Sequence, residues 1–417
     1  MTRAVFPCLM IDALRNRRIA SAAVVFLSVL MVGLQARTWT SADGSKTFEG
    51  KLQAYDAVSG KVSVVLPNGK SITFQKDLLS EDDIGFLSVS SSRPGKVEEL
   101  PEVWPDPDGK EADMSKPVQV YILLGQSNML GFGKPQVLQK IAPEKYPYLV
   151  DDAGAWTIRK DVRNVRVMCS GNSPAKDYTN DWMTIQGNIG PEIGIGHALG
   201  HVTDAPVMIL KSCIGNRSLG WDLLPPGTEP WEHGGKMQPG YRGTPDDPGG
   251  DTGGDMSKGW YAGCQYDGDI AAAKKVLENL DKYYPEAKEY EVAGFFWWQG
   301  DKDMRNAAHY ESYQKNLVQL IKSLRKDFDA PGARFVSASL GQTKEGSGSG
   351  DGVILNAMKA VSKSDDPELE GKVGFVYSNP LSKGGGSSGH YGGNPETYMN
   401  VGEAMGKVMV DLLKQAR

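Results

Sequence analysis

The chain has 417 residues, a formal net charge of −5, and 23% charged and 40% hydrophobic residues. That balance is ordinary for a folded protein, and the lack of a basic excess or Lys/Arg stripe argues against a nucleic-acid partner. At roughly 100–200 residues per domain, the length predicts two domains.

Arg15, Arg17 and Arg18 precede an apolar run from Ile19 to Leu34 that ends in Gln35-Ala36. A positive start, an apolar middle and a small residue at the end describe a secretory signal peptide over 1–36. The mature chain is then expected to be secreted or periplasmic, with no membrane span. An uncleaved anchor formed by residues 19–34 is the alternative, because the run is long for a signal. Cys8 belongs to that segment; Cys169, Cys213 and Cys264 remain, an odd number that allows at most one internal bridge. No CxxC or Cys/His spacing suggests structural zinc.

Residues 37–87 hold three short apolar runs, Phe48–Leu52, Lys61–Leu66 and Ser71–Phe74, separated by Ser59-Gly60 and Asn68-Gly69. Asn-Gly between such runs is a hairpin signal. A short helix follows, with Ser80 as its cap and Asp82 and Asp83 in its first turn. This unit resembles the Sla-type homology domain 1, a small SH3-like β-barrel, which implies a structural or adaptor role and an envelope or protein partner. Ser88 to Lys116 reads as a linker, rich in Pro and mixed charge.

From residue 117 to 417, apolar strands alternate with helical patterns, which predicts an α/β domain. Val118–Leu124, Val207–Leu210, Val292–Trp298 and Arg334–Leu340 read as buried parallel strands, with Phe375–Tyr377 a weaker fifth. Helices are expected over Pro191–His201, Ile270–Leu280, Ala308–Phe328, Val353–Ser362 and Glu396–Gln415. A flavodoxin-like three-layer α/β/α sandwich follows. Glycine-rich insertions interrupt it at Pro225–Gly259, Gly346–Gly352 and Gly384–Gly393. The first carries Trp231, His233, Tyr241 and Trp260, suited either to stacking on sugar rings or to packing the loop onto the body.

The chemistry concentrates at the end of the first strand, in VQVYILLGQSNMLG. A buried strand followed by Gly-Gln-Ser-Asn places Ser127 like a nucleophile on a strand-to-helix elbow, with Gly125 relieving steric strain. A polar turn that merely caps a helix is the plainer reading. Among the histidines, His390 lies in a glycine-rich loop (GGGSSGHYGGN) before the last helix and is the best candidate base. His197 and His201 have i, i+4 spacing, but no HExxH arrangement or third ligand accompanies them, so a structural role is expected.

Four ordered blocks resemble the SGNH hydrolase superfamily, in the branch of sialate O-acetylesterases and carbohydrate esterase family 6. They are GQSNM, Gly190-Pro191-Glu192, WWQGDKD over Trp297–Asp303, and His390 with its following helix. The resemblance covers roughly Lys116 to Arg417 and implies the same three-layer fold, with no metal or organic cofactor. It also implies an oxyanion hole made by the Ser127 and Gly190 backbone N–H groups and the Gln299 side-chain amide. The chain departs from the family where an Asp should stand three residues before the histidine, since that position is Ser387. Asp301, at the exit of the FFWW strand, is the preferred third member, Asp303 the alternative, and a Ser–His dyad a further option. Gln126, Asn128 and Glu192 are expected to line or brace the site, and Asn216, Arg217 and Trp221 to face substrate.

The expected activity is Ser-His(-Asp) removal of O-acetyl groups from carbohydrate, either an acetylated polysaccharide or sialic acid. Two rival readings are a catalytically silent glycan-binding or envelope-adaptor protein, and an esterase of short non-carbohydrate esters.

Overall fold

A computed structural model describes residues 37–56, 60–90, 98–107, 109–287 and 289–415. The expected signal segment, 1–36, lies outside these described residues. The described chain falls into two compact units: residues 37–90 with Asp329–Gly332, and the remainder.

The first unit is an antiparallel sheet of β1 (Arg37–Thr40), β2 (Thr47–Asp56), β3 (Lys61–Val65) and β4 (Ser71–Gln75), paired in chain order, followed by helix α1 (Glu81–Ser90). Its core joins Trp39, Phe48, Leu52, Val62, Val64, Phe74, Leu79 and Leu87. The Trp39 indole donates to the Gly50 carbonyl at 3.0 Å, so the one polar atom of this buried ring is satisfied. The α1 cap forms as expected: Ser80 Oγ accepts from the Asp83 N–H at 3.3 Å. Asp83 is nearly buried and pairs with Arg37 at 2.7 Å.

The second unit is mixed α/β around a seven-stranded sheet. Its elements are β5 (Val118–Gly125), α2 (Ser127–Leu130), α3 (Pro135–Lys145), β6 (Arg159–Met168), β7 (Lys176–Met183), α4 (Glu192–Val202), β8 (Val207–Ser212), β9 (Trp231–His233), β10 (Lys236–Gln238), α5 (Cys264–Glu278), β11 (Tyr290–Trp298), α6 (Ala307–Asp327), β12 (Arg334–Ala338), α7 (Gly350–Ser362), β13 (Val373–Val376) and α8 (Pro395–Gln415). The strand order is β13-β12-β11-β5-β8-β6-β7, with only β7 antiparallel to its neighbour. Setting the β6–β7 hairpin aside, the five remaining strands run 2-1-3-4-5, a doubly wound order. The sequence does not signal that hairpin, because RKDVRNVRVM alternates charge with valine and lacks a continuous apolar run.

Alternate residues of β5 point to opposite faces. Tyr121 and Leu123 join a cluster with Leu138 of α3, Ile195 and Leu199 of α4, and Met405 and Met409 of α8. These three helices cover that face, and α5, α6 and α7 cover the other. Part of the segment read as a linker is built into this unit. The Glu98 N–H donates to Val202 O at 3.0 Å, and Trp104 is buried against Tyr148 at 5.0 Å between ring centroids. Cys169, Cys213 and Cys264 are free and buried. Among the described residues, no helix is long and apolar enough to cross a membrane.

In an open α/β sheet the crevice forms where the strand order reverses, beyond the carboxyl ends of the strands. Here that point lies between β5 and β11. Pairing of Gly125 with Trp298 brings the turn after β5 beside the turn after β11.

Candidate active site

The turn after β5 is dictated by one glycine. Gly125 has φ +142°, and a Cβ there would lie 2.6 Å from the Trp298 carbonyl oxygen. The chain can therefore bend sharply and begin α2 at Ser127, which is 8% exposed. Among the described residues, the Ser127 hydroxyl makes no hydrogen bond. Across from it, a Cβ on Gly215 would lie 3.6 Å from Ser127 Cβ, so the loop after β8 forms the other wall. Gln126 is engaged through its side-chain oxygen. Its Oε1 accepts from Gln299 Nε2 at 3.1 Å, Gly300 N at 3.4 Å and Lys302 N at 3.3 Å, tying the two turns together.

His390 lies in the irregular segment Ser387–Gly393, which runs beside α2. His390, Tyr391 and Gly392 are consecutively left-handed, with φ of 50°, 52° and 62°. For the first two residues this is a strained backbone that the surroundings must hold. Tyr391 supplies the anchor: its buried ring lies 5.8 Å from Trp298, and its hydroxyl accepts from Gly341 N at 3.2 Å. With Tyr391 plugged inward, His390 stacks on Phe132 at 4.0 Å and 8°. Among the described residues, its ring makes no hydrogen bond to Ser127, Asp301 or Asp303.

The two carboxylates differ sharply. Asp301 reaches the histidine loop but not the ring: its Oδ1 accepts from Ser387 Oγ at 2.6 Å and Ser388 Oγ at 2.7 Å. Asp303 turns the other way, fully buried, and accepts from the backbone N–H groups of Leu219 at 2.9 Å and Gly220 at 2.8 Å. It braces the wall loop and is no partner for His390. Burial pushes its carboxyl up to about 6, against the opposing effect of hydrogen bonds from Gln299, Gly220 and Leu219. Burial lowers His309 to about 4, so this neighbour, 3.8 Å from Asp303, is neutral at pH 7 and gives no ion pair.

A raised carboxyl pKa means that folded protein binds the proton more tightly. The associated stability is fully present below the ordinary value near 4 and is lost as pH rises through about 6. Asp303→Asn should therefore remove a decline of about 2–3 kcal/mol between pH 4 and 7. Urea melts of both proteins at pH 4.5 and 7.5 check this, and parallel pH profiles would refute it.

Gln299 does not offer a free oxyanion donor. Its Nε2 faces Arg217 O at 2.8 Å, Gln126 Oε1 at 3.1 Å and the Asp303 carboxylate, three acceptors for two N–H groups. Its Oε1 accepts from Tyr313 OH at 2.9 Å. Gly190 remains beside the one-turn helix, since a Cβ on Gly131 would lie 2.5 Å from Gly190 N. Glu192 is drawn inward to a buried pair with Lys211 rather than toward substrate. Asn128 is fully buried, and among the described residues neither its Nδ2 nor its Oδ1 has a partner. That leaves an amide with unspent hydrogen-bonding capacity one residue from Ser127.

Of the residues expected to face substrate, Asn216 is exposed and left-handed, and Trp221 is half-buried. Arg217 is committed to the wall: it donates to Gln265 Oε1 at 3.0 Å and Ser170 Oγ at 3.2 Å and lies 4.9 Å over Trp260. In the long insertion, Trp260 donates to Asp222 at 3.1 Å and Tyr241 donates to Asp267. Those two aromatics pack the loop onto the body. His197 and His201 flank buried Arg159, with His201 Nε2 at 3.2 Å from its guanidinium. Burial first, then this cation, depresses both imidazoles. Among the described residues, no cluster is suited to holding a metal ion. Phe132, Gly215 and Ser388 also line or brace the site, and no motif in the sequence marks them. Phe132, two residues beyond α2, and Ser388, two before His390, were findable as neighbours in sequence of the two key residues.

Residues 251–410 match the family model described as "Carbohydrate esterase, sialic acid-specific acetylesterase". The match includes Gln299, Asp301, Asp303 and His390 but stops short of Ser127. No curated protein matches. Among solved structures, one similar chain is a protein from Arabidopsis thaliana, at 14% identity and TM-score 0.41, covering 70% of this chain and 98% of that one. Another is "a novel carbohydrate acetylesterase from Xanthomonas citri", at 13% identity and TM-score 0.43, covering 91% of this chain and 68% of that one.

Proposed function

We propose that this chain is an exported serine esterase that removes O-acetyl groups from carbohydrate. The observation that carries the reading is the Ser127 hydroxyl, unbonded at the sheet's switch point and beside the segment that bears His390. The family match over residues 251–410 supports the same chemistry from the opposite side of the crevice.

In this reading Ser127 Oγ attacks the acetyl carbon while His390 takes the hydroxyl proton. The tetrahedral oxyanion is met by the Ser127 and Gly190 N–H groups, with the unspent Asn128 amide nearby. Collapse expels the sugar alkoxide, which receives the proton from His390, and leaves an acetyl ester on Ser127. Water, deprotonated by His390, then releases acetate and restores the serine. At rest His390 stacks on Phe132 and, among the described residues, its ring makes no hydrogen bond to Ser127; such a bond tightens once substrate is bound. The residues that hold it in readiness are therefore those of its loop.

The test is acetate release by residues 37–417 from p-nitrophenyl acetate and acetylated xylan, beside His390→Ala. Loss of about 10³-fold in the variant is expected for a general base. Equal release by both proteins would remove His390 from the mechanism. A series of longer acyl chains tests the acetyl preference, since a short pocket discriminates against each added methylene by about 1–3 kcal/mol.

A further inference from the structure

The carboxylate nearest the histidine loop does not touch the histidine. Asp301 Oδ1 receives both Ser387 Oγ, at 2.6 Å, and Ser388 Oγ, at 2.7 Å, although these serines lie 86 and 87 residues away in sequence. Asp301 Oδ2 meets Arg305 Nη2 at 3.2 Å, and the same nitrogen donates to Ser388 Oγ at 2.7 Å. Arg305 is 59% exposed and Asp301 14%, so the ion pair itself contributes little. The hydroxyl-to-carboxylate bonds are the stronger element, because the acceptor carries charge. Ser387 is fixed a second time through its N–H, which donates to Gln342 Oε1 at 3.0 Å.

The other end of this connection is equally defined. Asp301 follows Gly300 and precedes Lys302, whose N–H groups both face the Gln126 side-chain oxygen at 3.4 and 3.3 Å. Gln126 immediately precedes Ser127. One continuous set of bonds thus runs from the residue before the nucleophile, through the 300–302 backbone, to the loop that carries the base.

Resting on the esterase reading above, we infer that Asp301 is a positioning residue that sets His390 relative to Ser127 through Ser387 and Ser388. A misplacement of about 1 Å at a reacting group costs about 10²-fold in rate. Asp301→Ala is therefore expected to lower kcat on p-nitrophenyl acetate by about 10²-fold while KM stays within about twofold. Asp301→Asn keeps an oxygen to accept the two hydroxyls and should recover at least about tenfold of that loss. The Ser387→Ala/Ser388→Ala pair should match Asp301→Ala, and the triple variant should lose no more, because residues acting through one contact are not additive. Losses that multiply in the triple variant, or wild-type kcat in Asp301→Ala, overturn the inference. Should Asp301→Ala fail to fold, Asp301→Asn and the double-serine variant carry the comparison.

Labelling of Ser127 by a fluorophosphonate separates this inference from the reading beneath it. Labelling indifferent to His390→Ala overturns the esterase mechanism and the inference together. Labelling that His390 controls, yet Asp301→Ala leaves unchanged, overturns the inference alone.

Discussion

Ser127→Ala is expected to lower kcat/KM for p-nitrophenyl acetate by about 10⁴-fold or more while leaving the thermal midpoint unchanged. The two halves of this result have separate causes. The nucleophile cannot be replaced by a neighbour: Ser387 and Ser388 are engaged with Asp301, and Ser212 Oγ donates to Asp269 O at 2.7 Å. The stability should hold because, among the described residues, the Ser127 hydroxyl makes no hydrogen bond, so its removal leaves no buried group unsatisfied. The backbone that shapes the elbow depends on Gly125 and is untouched by the substitution. Adding His390→Ala to Ser127→Ala should cost almost nothing further, since a base has no task without its nucleophile. Turnover retained in Ser127→Ala would exclude this serine.

The second large effect concerns stability. Lys211 and Glu192 form an ion pair with side chains only 1% and 7% exposed, and Lys211 Nζ also donates to Leu130 O at 2.9 Å. Lys211→Ala would leave the Glu192 carboxylate buried and alone, a situation that costs about 3–5 kcal/mol. It would also release the last carbonyl of α2, so activity should fall with stability. Replacing both partners, as in Lys211→Met/Glu192→Leu, should recover most of the loss, because the penalty lies in the uncompensated charge. Urea denaturation of the three proteins measures these differences. A Lys211→Ala loss below about 1 kcal/mol would mean that water reaches Glu192 and that the pair is not truly buried.

The sheet was legible wherever strands are buried on both faces. Val118–Leu124 and Val292–Trp298 read as strands because they are almost wholly apolar, with Gln119 the one polar side chain, and they are β5 and β11 within a residue or two. β6 and β7 were missed for the converse reason: Arg163, Arg166 and Asp181 occupy positions where a hairpin meets solvent, and their alternation resembles a polar loop. In the site, Ser127 could be placed from its strand and its glycine alone. The partner of Asp301 could not. A hydrogen bond across 86 residues depends on how α8 and the loop before it return to β11, and no local pattern encodes that return. Gln299 illustrates the opposite error, where a polar residue at a strand exit invites a catalytic role although its amide is consumed by Arg217, Gln126 and Asp303.

The β6–β7 hairpin has a bearing on how the folded chain behaves in a crowded solution. Any open sheet ends in unpaired N–H and C=O groups that can template another molecule's strand. Without the hairpin, the sheet would end at β8, whose VMILKS sequence is buried throughout. With it, the last strand is KDYTNDWM, where Lys176, Asp177 and Asp181 are exposed. Register shifts also interrupt its pairing with β6. Charge and irregularity of this kind discourage a second chain from docking in register. The opposite edge, β13, is four residues long and offers little to pair with. Both ends of the sheet are thereby guarded against edge-to-edge aggregation.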